Sequence, residues 1–213
     1  MNGRLAREQA VLLVIDVQER LMVAMPEDVA ARVVRNICIL IEGARRMGIP
    51  IVVSQQYPKG LGPTVAPIEA ALAEAGDAVH RFDKLEFSAA AAAAFTAIRD
   101  KLRPEPAKRA DLLELASHAL ERLVHGDRHQ WIVCGAEAHV CVYQTVRDLV
   151  NLPAAAVHVV ADAVCSRAKH NWKIGLELAR QQGAIVTSTE TCVFDLLVRA
   201  GTDEFKAMSK AVR

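Results

Sequence analysis

The amino-acid sequence predicts an α/β protein, a doubly wound three-layer α/β/α domain around a six-stranded, mainly parallel sheet. Short apolar runs alternate with longer amphipathic segments, which is the order of strands and helices in repeated β-α-β units. The apolar runs are continuous blocks rather than alternating patterns, as in strands that are covered on both faces. Hydrophobic residues make up 52% of the chain but aromatic residues only 4%, so aliphatic side chains must form most of the core.

Six strands and seven helices account for most of the chain. The strands are predicted near 11–16, 49–54, 79–82, 130–134, 156–161 and 184–188, and the helices near 27–47, 64–75, 89–102, 139–151, 168–182, 190–200 and 203–211. Gly48 and Gly183 each follow a helix and are typical helix stops. Ser88 precedes six alanines and is predicted to cap the helix that they begin. Parallel strands joined by right-handed crossovers give the doubly wound sheet.

One segment interrupts this regular alternation. The chain is predicted to be a single domain over residues 1–213, with a helical insertion at about 99–127. Pro104 and Pro106 break the preceding helix, and an apolar stripe from about Leu112 begins an additional amphipathic helix. The additional helix could lie on the surface, pack against another subunit or cover a site, and the sequence leaves these alternatives open.

Charge and cysteine content exclude several classes of protein. The net charge of +1, without a concentrated basic stripe, argues against a nucleic-acid partner. The apolar stretches are shorter than the roughly 18 residues of a membrane span, so no membrane partner is expected. Residues 1–9 carry charge but no apolar signal segment. The five cysteines, an odd number without a C-x-x-C pair, indicate reduced thiols and a cytoplasmic location.

Cys141 lies in the most informative stretch of the chain. The apolar run 130–134 is predicted to be a buried strand, and the residues from 139 onward have helical spacing. Cys141 therefore falls in the first turn of a helix at the carboxyl end of a strand, where open α/β sheets bind their ligands. Since a helix N-terminus stabilises negative charge, this position favours thiolate over thiol. The alternative is a small buried core residue.

Two charged residues stand at the ends of other predicted strands. Asp16 closes the apolar run 11–15, and Lys84 follows the strand near 79–82. Taken alone, Asp16 could be a helix cap and Lys84 a solvated surface charge. Together with Cys141 they supply what a thiol nucleophile needs, because a carboxylate can accept the thiol proton and an ammonium can hold both anions in place.

Four stretches of the chain resemble the isochorismatase-like cysteine hydrolases, a family that includes nicotinamidases and N-carbamoylsarcosine amidohydrolase. These stretches are Val14–Gln18, Gln55–Val65, Gly135–Val142 with Thr145, and Ala161–Arg167. The subgroup that they resemble most is that of the isochorismatase domain-containing proteins. The similarity extends from about residue 10 to residue 212, apart from the 99–127 segment.

The resemblance implies a catalytic triad of Asp16, Lys84 and Cys141 in a hydrolase without a cofactor. It further implies that the peptide bond between Ala136 and Glu137 is cis, and that the backbone amides of Glu137 and Cys141 form an oxyanion hole. A small-molecule substrate and a homo-oligomer, a dimer or larger, are implied as well.

The residues after the second predicted strand depart from the nicotinamidase pattern. Nicotinamidases bind a divalent metal there through an Asp and several His, whereas Gln56 stands at the position of the Asp and no His is close to it in sequence. The seven histidines are scattered without the spacing of metal ligands. We therefore expect no metal site.

Five residues are candidates for substrate contacts: Gln18, Gln56, Tyr57, Ala136 and Cys165. Gln56 and Tyr57 would offer hydrogen bonds and an aromatic wall, or else they pack in the turn beside Pro58. Cys165 follows a predicted strand end and would line the same cleft.

These observations predict a cytoplasmic cysteine hydrolase that acts on a small amide or a related carbonyl compound through a covalent thioester. Asp16 would deprotonate Cys141, and Lys84 would steady both ions. The alternative is a catalytically quiet member of the family, an interaction or thiol-sensing module in which Cys141 is oxidised.

Overall fold

A six-stranded sheet forms the centre of the computed structural model, which describes residues 3–102 and 128–213. The strands are β1 (Ala10–Ile15), β2 (Ile51–Gln56), β3 (Val79–Lys84), β4 (Gln130–Ala136), β5 (Ala156–Cys165) and β6 (Ile185–Thr187). They lie in the order β3-β2-β1-β4-β5-β6, and every pairing between them is parallel. The predicted α/β fold is confirmed.

Helices cover both faces of the sheet. Within the described residues the α-helices are α1 (Glu19–Val23), α2 (Glu27–Arg46), α3 (Pro58–Leu61), α4 (Ala66–Ala75), α5 (Ala93–Lys101), α6 (Tyr143–Leu149), α7 (Lys169–Gln181), α8 (Thr189–Leu197) and α9 (Asp203–Ala211). A 3-10 turn (Gly76–Ala78) precedes β3, and a π-helical turn (Ala138–Val142) precedes α6. None of the described helices is both long and apolar enough to cross a membrane.

The chain reverses its direction of winding between β1 and β4. From β1 the sheet extends outward through β2 to β3, and the chain then returns to place β4 on the other side of β1. Doubly wound sheets bind ligands at this switch point, where the connections from two neighbouring strands run in opposite directions along the sheet. The carboxyl ends of β1 and β4 therefore mark the expected position of a site.

Two apolar cores flank the sheet. On one side, Ile37 and Ile41 of α2 pack with Leu12 of β1. On the other side, Phe95 packs against Trp131, with ring centroids 5.2 Å apart. All six residues of β1 are buried, which accounts for its unbroken apolar sequence.

Two predicted boundaries are wrong. The helix after β3 begins at Ala93, and its N-cap is Ala92 rather than Ser88. The residues before it form a turn in which the Ala89 N–H donates to Thr145 Oγ1, a tertiary contact that overrides the helix propensity of alanine. β5 continues to Cys165, beyond the predicted end near 161, because its last residues pair with β4 after a register shift.

The predicted helical insertion falls mainly outside the described residues. Its first residues, 99–101, complete α5. Residues 103–127 are outside the described ranges, so the additional helix stays a prediction.

Candidate active site

Three strands bring Asp16, Lys84 and Cys141 to one edge of the sheet. Asp16 directly follows β1, Lys84 is the last residue of β3, and Cys141 lies in the π-helical turn after β4. All three are buried, with 0%, 3% and 6% of their surface exposed. The structure thus brings the three residues together, close enough for both charges to act on the thiol.

Asp16 and Lys84 form a fully buried ion pair. Lys84 Nζ lies 2.6 Å from Asp16 Oδ2, and neither side chain is exposed to solvent. Ser54 Oγ donates to the other carboxylate oxygen over 2.7 Å. A buried ion pair requires such additional hydrogen bonds, since both ions lose their hydration. Sequence reasoning missed Ser54, which was an unremarkable polar residue near a strand end.

The ammonium of Lys84 is surrounded by hydrogen-bond acceptors. Besides Asp16, its acceptors are Gln56 Oε1 at 2.7 Å and the carbonyl oxygens of Phe87 and Glu86 at 3.1 and 3.3 Å. An ammonium has three donors, and these oxygens surround it together with the Cys141 thiol, to which Lys84 is also hydrogen-bonded. Lys84 is therefore held in place beside Cys141, where both its charge and its hydrogen bond lower the pKa of the thiol.

The surroundings of Cys141 favour the thiol over the thiolate. Burial and, to a smaller extent, the charge of Asp16 raise the pKa of Cys141, the charge of Lys84 lowers it, and the net result is a pKa of about 12. This direction is opposite to the thiolate preference expected from the helix N-terminus, because burial is the largest cause of the shift. A thiol beside a buried carboxylate can instead pass its proton to that carboxylate when it attacks.

The turn that carries Cys141 begins at a cis peptide bond. The bond between Ala136 and Glu137 is cis, as the resemblance implied. Val140 and Val142 both donate their N–H groups to the Glu137 carbonyl, at 3.0 and 3.2 Å. Within residues 3–102 and 128–213, the Glu137 N–H donates to no backbone carbonyl, so it is available to a ligand.

Arg167 holds the side chain of Glu137. The Glu137 carboxylate accepts hydrogen bonds from the Arg167 backbone N–H at 2.9 Å and from Arg167 Nε at 3.2 Å. The ring of His139 also contacts this loop, with its Nδ1 3.1 Å from Ser166 Oγ. The loop after β5 therefore holds the turn that carries Cys141.

Gln18 joins the loops that follow β1 and β2. Its Nε2 donates to the carbonyl oxygens of Gln56 and Gly62 at 3.0 and 2.8 Å, and its Oε1 accepts from the Gln56 N–H at 2.8 Å. The side chain is completely buried. These bonds engage both ends of the amide, so they favour a role in holding the loops over a contact with substrate.

The other candidate contacts occupy different environments. Tyr57 is 51% exposed, while its N–H donates to the Lys84 carbonyl at 2.9 Å. Ala136 and Cys165 are neighbours in the β4–β5 register, and both side chains pack in the core on the α2 side. Cys141 packs in the opposite core, so the structure does not bring the Cys165 thiol to the triad.

A cavity of about 610 Å³ lies at the same edge of the sheet but apart from the triad. It opens between the first turns of α2 and α7 at the end of β5, and its lining includes Arg32, Asp162 and Trp172. Asp16, Lys84 and Cys141 do not line it. The triad is therefore identified from the contacts among its three residues, and this cavity is a separate feature of the structure.

Gly175 of α7 lies against the backbone of the turn that carries Cys141. A Cβ at this position would be 2.6 Å from the Ala138 carbonyl carbon and oxygen and 2.8 Å from the His139 nitrogen. Gly175→Ala is expected to lower the free energy of unfolding by about 1–3 kcal/mol and to slow Cys141 alkylation, because the turn must move. Denaturant melts and peptide-resolved alkylation measure both effects.

Gly43→Ala is the matched control for this substitution. Its Cβ would meet only the terminal methyl groups of Met47 and Met208 at 3.3 Å, which can move. If Gly175→Ala resembles Gly43→Ala in both measurements, then close packing of α7 does not position the turn.

Comparisons with known proteins agree with this fold. The isochorismatase domain matches residues 10–191, a range that contains all three triad residues. The secreted isochorismatase effector Isc1 of Phytophthora sojae is 36% identical over 214 residues, covering 99% of this chain and 88% of that protein.

Two solved structures are similar over nearly the whole chain. The MAR1 ribonuclease of Caenorhabditis elegans has a TM-score of 0.74 at 29% identity, covering 98% of this chain and 92% of that chain. YcaC of Escherichia coli, described as an octameric hydrolase of unknown specificity, has a TM-score of 0.74 at 17% identity. The match covers 98% of this chain and 90% of that chain. This protein therefore belongs to the isochorismatase family.

Proposed function

We propose that this protein is a cysteine hydrolase that cleaves a small amide or a related carbonyl compound through a thioester on Cys141. The observation that supports this most is the buried Asp16–Lys84 ion pair beside the Cys141 thiol. A structural role alone does not account for the three groups, since a buried ion pair is a weak source of stability.

The proposed reaction begins with proton transfer from Cys141 to Asp16. The sulfur then bonds to the substrate carbonyl carbon, and the backbone amides of Glu137 and Cys141 stabilise the oxyanion. When the oxyanion collapses, the carbon–nitrogen bond breaks and the amine leaves with the proton from Asp16. Asp16 next takes a proton from water, whose oxygen attacks the thioester, and Cys141 departs as the thiol with that proton.

Proton transfer within the triad does not change its net charge. Before transfer the charged pair is Asp16 with Lys84, and afterwards it is the Cys141 thiolate with Lys84. Because Lys84 lowers the pKa of Cys141, it supports the second arrangement as well as the first. The site can thus form a thiolate during attack while it keeps a thiol at rest.

The raised pKa also favours the hydrolase over the thiol-sensing alternative. Oxidation requires thiolate, and burial raises the pKa of Cys141 to about 12. A resting thiol sensor would need the thiolate that these surroundings disfavour.

A panel of small amides, carbamoyl compounds and esters tests the proposal. We expect turnover of at least one member by the wild type, none by Cys141→Ala, and near-normal turnover by Cys165→Ala, since Cys165 packs in the opposite core. An RNA oligonucleotide in the same panel should be neither bound nor cut. Cleavage of RNA alone, or turnover that survives Cys141→Ala, would contradict the proposal.

Activity is expected to be unaffected by chelators. The residue at the position of the metal-binding Asp is Gln56, whose Oε1 accepts from Lys84 and whose Nε2 donates to the Leu85 carbonyl. A neutral amide engaged in this way is a poor ligand for a divalent cation. Turnover before and after chelator treatment, with elemental analysis of untagged protein, checks this. Stoichiometric zinc, iron or manganese would contradict it.

We propose a homo-oligomer in the cytoplasm. YcaC is octameric, and exposed apolar side chains such as Leu85 and Phe87 beside the triad suit burial by a second copy. Light scattering at micromolar concentration should give at least twice the monomer mass of 23.2 kDa, and a monomer would contradict the expectation.

Since the relative Isc1 is named a secreted effector, fractionation of the source cells tests the location.

A further inference from the structure

We propose that Ser54 and Gln56 of β2 are positioning residues that set the proton affinity of Cys141 by holding Asp16 and Lys84. This inference rests on the proposed function. Both side chains lie at the carboxyl end of β2, two positions apart and therefore on the same face of the strand. In the sheet, Ser54 pairs with Ile15, the residue before Asp16, and Gln56 pairs with Lys84.

Ser54 holds Asp16 by two hydrogen bonds. Its hydroxyl donates to Asp16 Oδ1 at 2.7 Å, and its carbonyl accepts from the Asp16 N–H at 3.1 Å. Since Lys84 binds Oδ2, both carboxylate oxygens are fixed and the carboxylate cannot rotate freely. The backbone bond also holds Asp16 at its positive φ of 50°.

Gln56 is oriented by its own contacts. Its Nε2 donates to the Leu85 carbonyl at 2.9 Å, which turns Oε1 toward Lys84 Nζ at 2.7 Å. Its backbone N–H and carbonyl are both bound by the Gln18 side chain. The amide is therefore a fixed, neutral acceptor for one hydrogen of the Lys84 ammonium.

The neutrality of Gln56 is what the triad requires. Asp16 and Lys84 carry opposite charges, so the pair is neutral and Cys141 can become a thiolate next to one cation. A carboxylate in place of Gln56 would leave the group with an additional negative charge and draw Lys84 away from Asp16. Like charges disfavour ionisation, so the pKa of Cys141 would rise further.

The test compares Gln56→Glu with Gln55→Glu. Both substitutions add one negative charge at adjacent positions of β2, but Gln55 lies on the other face, where its Nε2 donates to Thr64 Oγ1. The readout is the alkylation rate of Cys141 against pH, measured by peptide mass spectrometry. Near pH 8, Gln56→Glu should slow Cys141 alkylation by about tenfold or more, while Gln55→Glu should lie within about twofold of wild type.

Ser54→Ala provides a second, independent test. It removes a donor from the Asp16 carboxylate, whose negative charge is then less neutralised, so the alkylation profile of Cys141 should move to higher pH. In an Asp16→Asn background the same substitution should move the profile no further, since Ser54 acts through Asp16. A merely structural serine would have equal effects in both backgrounds.

The outcomes separate this inference from the proposed function. If Asp16→Asn and Lys84→Ala leave the Cys141 profile unchanged, the triad itself is wrong. If both shift the profile but Gln56→Glu matches Gln55→Glu, or Ser54→Ala acts equally with and without Asp16, only the positioning role is wrong. If Gln56→Glu does not fold, the comparison of Ser54→Ala in the wild-type and Asp16→Asn backgrounds tests the positioning role.

Discussion

Asp16→Asn and Lys84→Ala are expected to shift the pH dependence of Cys141 alkylation in opposite directions. The charge of Asp16 raises the pKa of Cys141, so its removal should move the profile to lower pH and speed alkylation at a given pH. The charge of Lys84 lowers the same pKa, so Lys84→Ala should move the profile to higher pH and slow alkylation. Each shift should be about one pH unit or more, since both groups act at close range.

Hydrolysis should nevertheless be lost in both variants. Asp16→Asn gives a more nucleophilic sulfur but leaves no acceptor for its proton and no donor for the leaving amine, so turnover should fall by about 100-fold or more. A variant that is alkylated faster and hydrolyses slower separates thiol reactivity from catalysis. Asp83→Asn and Lys59→Ala, which change exposed charges, are the controls. Variant profiles that superimpose on that of the wild type, or shifts of both variants in the same direction, would contradict the triad.

Gly135→Ala is expected to prevent folding or to destabilise the protein by more than about 3 kcal/mol. Gly135 lies in β4 directly against β1, and a Cβ there would be 2.0 Å from the Ile15 carbonyl oxygen and 2.7 Å from its nitrogen. These are backbone atoms in the centre of the sheet, which cannot move aside. The φ of +117° adds strain for any residue with a Cβ.

Gly183→Ala separates the clash from the backbone strain. Gly183 also has a positive φ, +95°, but a Cβ there would have nothing within 4 Å. Denaturant melts should show only a modest loss for Gly183→Ala, about 1–2 kcal/mol. Comparable stability of the two variants would mean that close approach of β4 to β1 is not what requires glycine at 135.

The sequence predicted the architecture of the site because strand ends are readable without tertiary information. Asp16 and Cys141 follow apolar runs, and parallel strands that start on one side of a domain must finish on the other. Their meeting at one edge therefore follows from pattern alone. The cis bond before Glu137 came from the family resemblance and not from any pattern in the residues.

The electrostatics of the site could not be predicted in this way. The pKa of Cys141 depends on how completely the fold removes water from the thiol, and the first turn of a helix can be either exposed to solvent or buried. The contacts of Ser54 and Gln56 depend on the register between β2 and its two neighbours. Ser88 was misassigned because a hydrogen bond from Ala89 to Thr145, distant in sequence, displaced the start of the helix.

The most direct test of the central claim is to trap an acyl group on Cys141. The protein is mixed with p-nitrophenyl acetate, quenched in acid within seconds and mapped by peptide mass spectrometry, with Cys141→Ala in parallel. We expect a burst of nitrophenol equal to the protomer concentration, with acetyl on Cys141 that hydroxylamine removes. An acetyl group found only on exposed lysines or on Cys38, with the same burst in Cys141→Ala, would contradict the account.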